Sequence, residues 1–337
     1  MSAAVNKRAW VLQERILSPR VLHFGRHQLL WECYEKDAAE AFPDGLPFPL
    51  TSQQHSGIKR LDTEVGQYSR LLKDQHPSAS HLLWRSILQI YTACKLSVPS
   101  DKLIACSGIA RYVANITGDK YIAGLWRRYL EGELLWCVEG NYRAGCSSRP
   151  HIYRAPTWSW ASIDGPITPG LPRVQGSLIT VEEVHLDYES MDTMAAVHSG
   201  WLRLRGVLKK LRLERKDIIP QVPAWNMFLH DANVSEPDGT SGTEPRIMLD
   251  VFQEKFDKEN MESLLFCMPA RMSKGDGQGM YLVLFKLDNG REGTFRRIGI
   301  AYAWSERVKN QLLAKRPGEA ELPCLEYCDS IHSIYVV

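Results

Sequence analysis

Several side chains near the start of the sequence are of the types that carry out acid–base chemistry. His23, Glu14 and Glu32 could exchange protons, because an imidazole titrates near neutral pH and a carboxylate accepts a proton from a nearby donor. Arg15 and Arg20 are cations that could hold an anion. A simpler interpretation is that these residues are exposed charges on strands, or that Gln13-Glu14-Arg15 forms a structural ion-pair set. A general base must lie within hydrogen-bond reach of its proton, which spacing along a chain does not show.

A tryptophan-rich stretch in the middle of the chain supplies a second group of candidates. Trp158 and Trp160 are two residues apart, so an extended segment places both indoles on one face. One interpretation is the aromatic wall of a ligand pocket, with polar residues beside it. The simpler interpretation is a packed clamp at a domain junction, because indoles bury large areas. If the protein is an enzyme, the catalytic candidates are His23, Asp164 and Arg154, and the ligand-binding candidates are Tyr153, Trp158 and Trp160.

Motifs that would fix a standard activity are missing from the sequence. Neither Ser107 nor Ser159 lies in a Gly-x-Ser-x-Gly elbow, so the hydrolase signature is not present. The glycine-rich run 275–279 precedes an apolar strand pattern and opens no helix, unlike a phosphate-binding loop. Cys324 and Cys328 have no second Cys or His pair nearby, as a zinc site would need. We predict no cofactor and no metal.

Composition narrows the class of protein. The chain has 337 residues, 44% of them hydrophobic and 24% charged, which is typical of a folded globular protein. A net charge of +2 gives no sign of nucleic-acid binding. Residues 1–10 contain no apolar signal-peptide core, and the longest apolar run, Met280–Phe285, is far too short to span a membrane. We expect a cytoplasmic protein without a membrane span.

The elements that position these residues change in kind along the chain. Spacings of three and four predict a helix through Leu83–Cys94, a second one between Asp101 and Gly118, and a third segment after Asp119. Apolar runs and alternation predict strands, and Asp288-Asn289-Gly290 predicts a hairpin turn. The predicted strands are Val11–Leu12, Val21–Phe24, Leu134–Val138, Trp201–Arg205, Leu211–Leu213, Met280–Leu287, Thr294–Ala303 and Ile331–Val337.

This order of elements predicts an α+β fold in three parts. Residues 1–57 form a mixed segment ending in a Pro- and Gly-rich loop, residues 58–149 a helical section, and residues 150–337 a β-rich domain. We expect the last domain to be antiparallel and either a sandwich or barrel-like.

Three strings are dense in large aromatic residues set among small ones. They are residues 8–24, which include Trp10-Val11-Leu12-Gln13-Glu14-Arg15, followed by 31–33; residues 101–105 and 107–110 with 121–126; and residues 153–165, which include Ala155-Pro156-Thr157-Trp158-Ser159-Trp160-Ala161-Ser162. In this order the three strings resemble the fungal heterokaryon-incompatibility (HET) domain family. They look like the end of the HET domain and the region that follows it, and the likeness covers most of the chain, being weakest between 218 and 260. The family's N-terminal Trp-x-Asp-x-x-Cys-Ile block does not occur in this sequence.

Two functional hypotheses follow. The resemblance implies an interaction or regulatory protein in fungal nonself recognition or cell death, which acts on a protein partner without catalysis of its own; residues 1–57 would be the C-terminal remnant of a HET domain. The alternative is a cofactor-independent tailoring enzyme of fungal secondary metabolism, for a cyclisation, dehydration or isomerisation, with a small hydrophobic metabolite as its ligand. Such chemistry needs only an aromatic pocket and one or two acid–base groups.

Overall fold

The computed structural model describes residues 4–47, 79–139, 147–172, 175–219, 222–229, 232–233, 245–251, 264–273, 279–288 and 291–337. Its residues cluster into two compact units, Met1–Asp119 and Lys120–Val337. This boundary falls inside the predicted helical section 58–149, and the three-part division remains a prediction. The fold contains helices and a large sheet and is α+β.

The N-terminal unit combines three helices with a small sheet, in the part of the chain that the structure describes. Its helices are α1 (Ala9–Leu17), α2 (Ala79–Thr92) and α3 (Ser107–Thr117), with 3-10 turns at Ala4–Lys7, Pro99–Lys102 and Ile104–Cys106. Strands β1 (Arg20–Phe24), β2 (Leu29–Cys33) and β3 (Asp37–Ala39) pair antiparallel in that order.

The predicted helices are present here, but one predicted strand is wrong. Leu83, Ile87 and Tyr91 of α2 are buried as the spacing predicted, and Gly118 ends α3 with a φ of 64°. Val11–Leu12 lies inside α1 and is not a strand. The three helices contact one another, and the burial of one α1 face among them selects the helix.

The C-terminal unit opens with short elements where a third helical segment was predicted. β4 (Tyr121–Ile122) and β5 (Leu125–Trp126) form a tight hairpin, because Ala123 and Gly124 take positive φ values of 44° and 98°. The elements that follow are a 3-10 turn at Arg127–Tyr129, α4 (Leu130–Glu133), β6 (Cys137–Val138), a 3-10 turn at Trp160–Ser162, and β7 (Ile167–Thr168), which pairs with β6. Only Cys137–Val138 of the predicted strand Leu134–Val138 is extended.

The rest of this unit is one sheet, which has eleven strands among the described residues. Its hydrogen-bonded order is β12-β11-β10-β14-β15-β16-β18-β9-β8, with β13 on β16 and β17 on β18. Helix α5 (Glu306–Leu313) and a 3-10 turn at Glu319–Glu321 lie between β16 and β17 in sequence. The strands are β8 (Thr180–Tyr188), β9 (Val197–Gly206), β10 (Lys209–Ile219), β11 (Val222–Leu229), β12 (Ala232–Asn233), β13 (Arg246–Leu249), β14 (Leu265–Met272), β15 (Met280–Leu287), β16 (Thr294–Ala303), β17 (Glu326–Cys328) and β18 (Ile331–Val336).

The predicted strands of the C-terminal region are confirmed, and the pairing adds two facts. Among the described strands all pairs are antiparallel except β16 with β18, which run parallel through Thr294–Phe295, so the sheet is mixed. The sheet also curls, because β11 contacts β13 although four strands separate them in the hydrogen-bonded order. The inward residues of β10 to β16 share one apolar core with α5. The predicted turn residues Asn289 and Gly290, and most of the glycine run 275–279, lie outside the described residues.

The longest helix of the described part, α2, has 14 residues. An apolar helix needs roughly 20 to cross a bilayer. No described helix combines the length and the apolar character that such a crossing requires.

Candidate functional site

Two of the acid–base candidates, His23 and Glu32, meet the candidate cation Arg15 in the N-terminal unit. Strand register pairs Val21 with Glu32, so His23, two residues further along β1, shares the face on which Glu32 lies. Arg15, on α1, donates from Nε to Glu32 Oε2 at 2.6 Å and from Nη2 to Oε1 at 2.9 Å. His23 Nε2 lies 3.1 Å from the same Oε2. Both carboxylate oxygens are therefore occupied.

The electrostatics of this cluster favour an ionised carboxylate. Glu32 is only 2% exposed, and burial alone would raise its pKa. The hydrogen bonds and charges of Arg15 and His23 outweigh burial and hold the pKa of Glu32 below its ordinary value. Glu32 can therefore orient the His23 ring, as a carboxylate orients a general base, but it has no proton to give near neutral pH. Glu14 and Arg20 form no ion pair with the cluster in the described part of the unit.

The opposite face of the same small sheet is apolar and faces outward. Leu22 and Phe24 alternate with His23 along β1 and are 47% and 82% exposed. The β2 residues directly opposite them are Trp31 and Leu29. We call these four residues, Leu22, Phe24, Leu29 and Trp31, the outer apolar face. Within the described chain β1 pairs only with β2, so this face ends at an open strand edge.

The tryptophan-rich stretch lies in the C-terminal unit and is core. Trp158 and Trp160 are both 0% exposed. The predicted extended segment is wrong: Ser159 caps a 3-10 turn by accepting a hydrogen bond from the Ala161 N–H at 3.0 Å. Trp160 Nε1 donates to the Gly124 carbonyl at 2.8 Å. The hairpin turn between β4 and β5 is thereby fixed onto this aromatic segment.

The polar candidates beside the tryptophans also have structural partners. Arg154 donates from Nε to the Ala161 carbonyl at 2.7 Å and from Nη2 to the Ile163 carbonyl at 2.9 Å. Its Nη2 also lies 2.9 Å from Asp164 Oδ1. The Arg154 guanidinium is thus committed to the chain itself. Tyr153 is 51% exposed and lies outside this core.

A buried ion pair, not predicted from the sequence, supports the tryptophan core. Arg297 Nη1 lies 3.1 Å from Asp250 Oδ2, and both side chains are fully buried. Arg297 Nη2 donates to the Trp136 carbonyl at 2.5 Å, and Trp136 Nε1 donates to the Trp158 carbonyl at 2.8 Å. Burial raises the pKa of Asp250 against the opposing charge of Arg297, and it lowers the pKa of Arg297 to about 10. The only sequence signal was a charged residue inside an apolar strand.

The strings that carry the family resemblance contact one another within each unit. In the N-terminal unit Trp10 Nε1 donates to Asp101 Oδ2 at 3.2 Å, and the Gly108 N–H donates to Gln13 Oε1 at 2.7 Å. Gln13 thereby satisfies an N–H of the first turn of α3, which has no partner within the helix. In the C-terminal unit Ser159 Oγ donates to the Ala123 carbonyl at 2.6 Å. These motif residues hold elements together.

The six candidates are divided between the two units. His23 belongs to the N-terminal unit and the other five to the C-terminal unit. A pocket of about 320 Å³ in the C-terminal unit is lined by other residues. No family model matches the chain, and neither a curated protein nor a solved structure matches it.

Proposed function

We propose that this chain is a HET-type interaction protein that acts in the cytoplasm in fungal nonself recognition or a cell-death response, without catalysis of its own. Residues 1–57 would correspond to the end of a HET domain. The resemblance of the three motif strings motivates the family. The outer apolar face carries the functional part of the proposal.

An exposed apolar strand beside an open edge is an unusual feature on a protein surface. Native proteins normally protect such edges with charges, proline or a covering element. Leu22 and Phe24 instead place large apolar groups in solvent on β1. Contiguous exposed apolar residues with polar surroundings are typical of protein-binding surfaces.

The surroundings of this face indicate the chemistry of its partner. Arg20, Arg26 and His27 are exposed at the start of β1 and in the β1–β2 turn. An extended apolar segment flanked by acidic residues would complement both the face and this basic rim. Such a segment can add a strand to β1, so that backbone hydrogen bonds supply affinity and side chains supply specificity.

The packing of the tryptophans supports a non-catalytic reading of the C-terminal unit. A pocket wall needs aromatic faces that a ligand can reach. Trp158 and Trp160 are fully buried, and Arg154 is held by backbone carbonyls. In this proposal Trp158, Trp160 and Arg154 stabilise the fold and do not bind a ligand.

The test is genetic complementation with matched surface substitutions. The gene is deleted, and the wild-type chain, Phe24→Asp or Ile152→Asp is then expressed in the deletion strain. Cell-fusion viability and the metabolite profile are measured for the deletion strain and for each restored strain. Phe24 and Ile152 are equally exposed, at 82%. We expect deletion to change the fusion response, Phe24→Asp to fail to restore it, and Ile152→Asp to restore it. A changed metabolite profile with normal fusion rejects the proposal.

One observation favours the alternative of a cofactor-independent tailoring enzyme. His23 is held by a buried carboxylate and is itself 16% exposed, as a general base would be. In that case the His23→Gln chain, restored to the deletion strain, fails to reverse the metabolite change that deletion causes, and the Phe24→Asp chain reverses it. The opposite pattern supports the interaction function.

A further inference from the structure

The pocket of about 320 Å³ lies on the outer surface of the large sheet, where β9, β18 and β16 are adjacent. Leu202, Val336 and Phe295 are neighbours across these strands and point into the core, at 1% exposure or less. Alternation directs the preceding residues of each strand to the opposite surface. Those residues are Trp201, Tyr335 and Thr294, and all three line the pocket.

Two aromatic rings form one wall of this pocket. Trp201 and Tyr335 have ring centroids 4.6 Å apart with an interplanar angle of 63°. On the far side of Trp201, the His185 ring stacks with a centroid distance of 5.5 Å and an angle of 23°. His185 holds the indole in place, so the wall is preorganised to pack against a planar ring.

The polar residues of the pocket favour an anionic group. Arg291 is exposed and has no ion-pair partner among the residues that the structure describes. Asp288, also in the lining, is already paired with Arg296 at 3.1 Å. The charge of Asp288 is thus balanced by Arg296, which is not itself a lining residue. The terminal carboxylate of Val337 also lines the pocket and is likewise hydrogen-bonded, since one of its oxygens accepts from the N–H and the hydroxyl of Thr157.

One buried hydroxyl at this pocket is unsatisfied. Thr294 is 4% exposed, and its Oγ1 has no hydrogen-bond partner within the described structure. A buried polar atom left without a partner costs free energy and calls for an explanation. A ligand oxygen that accepts from this hydroxyl would supply the missing bond.

We propose that this pocket binds a small planar aromatic acid, with its ring against Trp201 and Tyr335 and its carboxylate on Arg291 and Thr294. The volume lies at the lower end of the range for small-molecule sites, roughly 300–1,000 Å³. The assignment is independent of the interaction function, because the outer apolar face is in the other unit and shares no residue with the pocket.

Titration calorimetry on the full chain tests the ligand class with three probes. These are 1-naphthoate, the neutral 1-naphthalenemethanol and the non-aromatic cyclohexanecarboxylate. We expect saturable binding of 1-naphthoate and an affinity at least about tenfold weaker for each of the other two, because each lacks one of the proposed interactions. No saturable binding of 1-naphthoate, or equal binding of all three, overturns the assignment.

Substitutions in the lining test the residues. Arg291→Gln and Trp201→Leu are each expected to weaken 1-naphthoate binding about tenfold or more, and the isosteric Thr294→Val to weaken it by a smaller factor. Arg8→Gln, an exposed arginine of the other unit, is the control and should bind like wild type. Circular dichroism confirms that each variant is folded. Unchanged affinity in a folded Arg291→Gln chain overturns the proposal.

Discussion

The guanidinium carbon of Arg297 lies 3.5 Å from the centroid of the Trp136 ring, with both side chains fully buried. A cation so close to an indole face in a desolvated site contributes roughly 2 kcal/mol. It lies next to a carboxylate, Asp250, with which it forms the buried ion pair. This arrangement connects β16 to the tryptophan core.

Removal of the Asp250 charge should destabilise the protein strongly. Asp250→Asn leaves Arg297 buried with an uncompensated charge, and we expect a loss of about 3–5 kcal/mol in the free energy of unfolding, measured by urea denaturation. Glu214→Gln breaks the exposed pair with Arg212, which is 3.0 Å long, and should change stability by less than about 1 kcal/mol. Equal effects of the two substitutions contradict the role given to the buried pair.

The Glu32 cluster should make stability depend on acid pH. The pKa of Glu32 is lower in the folded chain than in the unfolded one. Between these two pKa values the unfolded chain therefore binds more protons than the folded chain. The stabilisation that ionised Glu32 gives the folded chain is complete above the ordinary carboxyl pKa of about 4.3. It is lost as the pH falls from there through the lower pKa of the folded chain. We expect Glu32→Gln to cost about 1–3 kcal/mol at pH 7 and less at pH 3, by urea denaturation. The exposed Glu35→Gln serves as control, and a cost that does not shrink at low pH is the contrary result.

His332 should produce a second pH dependence, nearer to neutral. The Leu208 N–H donates to its Nδ1 at 3.1 Å, which leaves Nε2 to donate to the Glu319 carbonyl, 2.9 Å away. Burial lowers the pKa of this imidazole, so below about 6.5 the unfolded chain binds the extra proton and stability falls with falling pH. Between pH 7 and pH 5 the free energy of unfolding should therefore fall less in His332→Gln than in wild type. The control His185→Gln replaces an exposed histidine and should show the same decrease as wild type.

Replacement of Gly124 should destabilise the protein more than replacement of Gly318. A Cβ at this position would lie 2.5 Å from Trp160 Nε1, and its φ is 98°. Gly318 has a φ of 79° and nothing within 4 Å of the same position. We expect Gly318→Ala to cost about 1 kcal/mol from backbone strain and Gly124→Ala about 3 kcal/mol or more from strain plus displacement of the indole. Thermal unfolding measures both, and equal costs would show that the indole moves aside freely.

Local pattern was a reliable guide wherever one side of an element was buried along its whole length. The apolar segments on either side of the predicted turn predicted β15 and β16 with their observed ends, and the spacing through α2 predicted its buried face. Val11–Leu12 failed because a two-residue apolar run has no period, and packing against the other helices decided its conformation. Trp158–Trp160 failed because the Ser159 cap favours a turn that the spacing of the indoles does not reveal.

The sequence by itself determined the α+β class, the strands and helices with a clear period, and the residues able to do chemistry. Tertiary structure alone decided which of those residues meet: Glu32 with Arg15 and His23, Asp250 with Arg297, and Trp201 with Tyr335. The physical reason is that periodicity records only whether a side chain is buried. Whether a buried or half-buried group finds a partner depends on strand register and on chain segments far away in sequence, as Trp201 and Tyr335 illustrate.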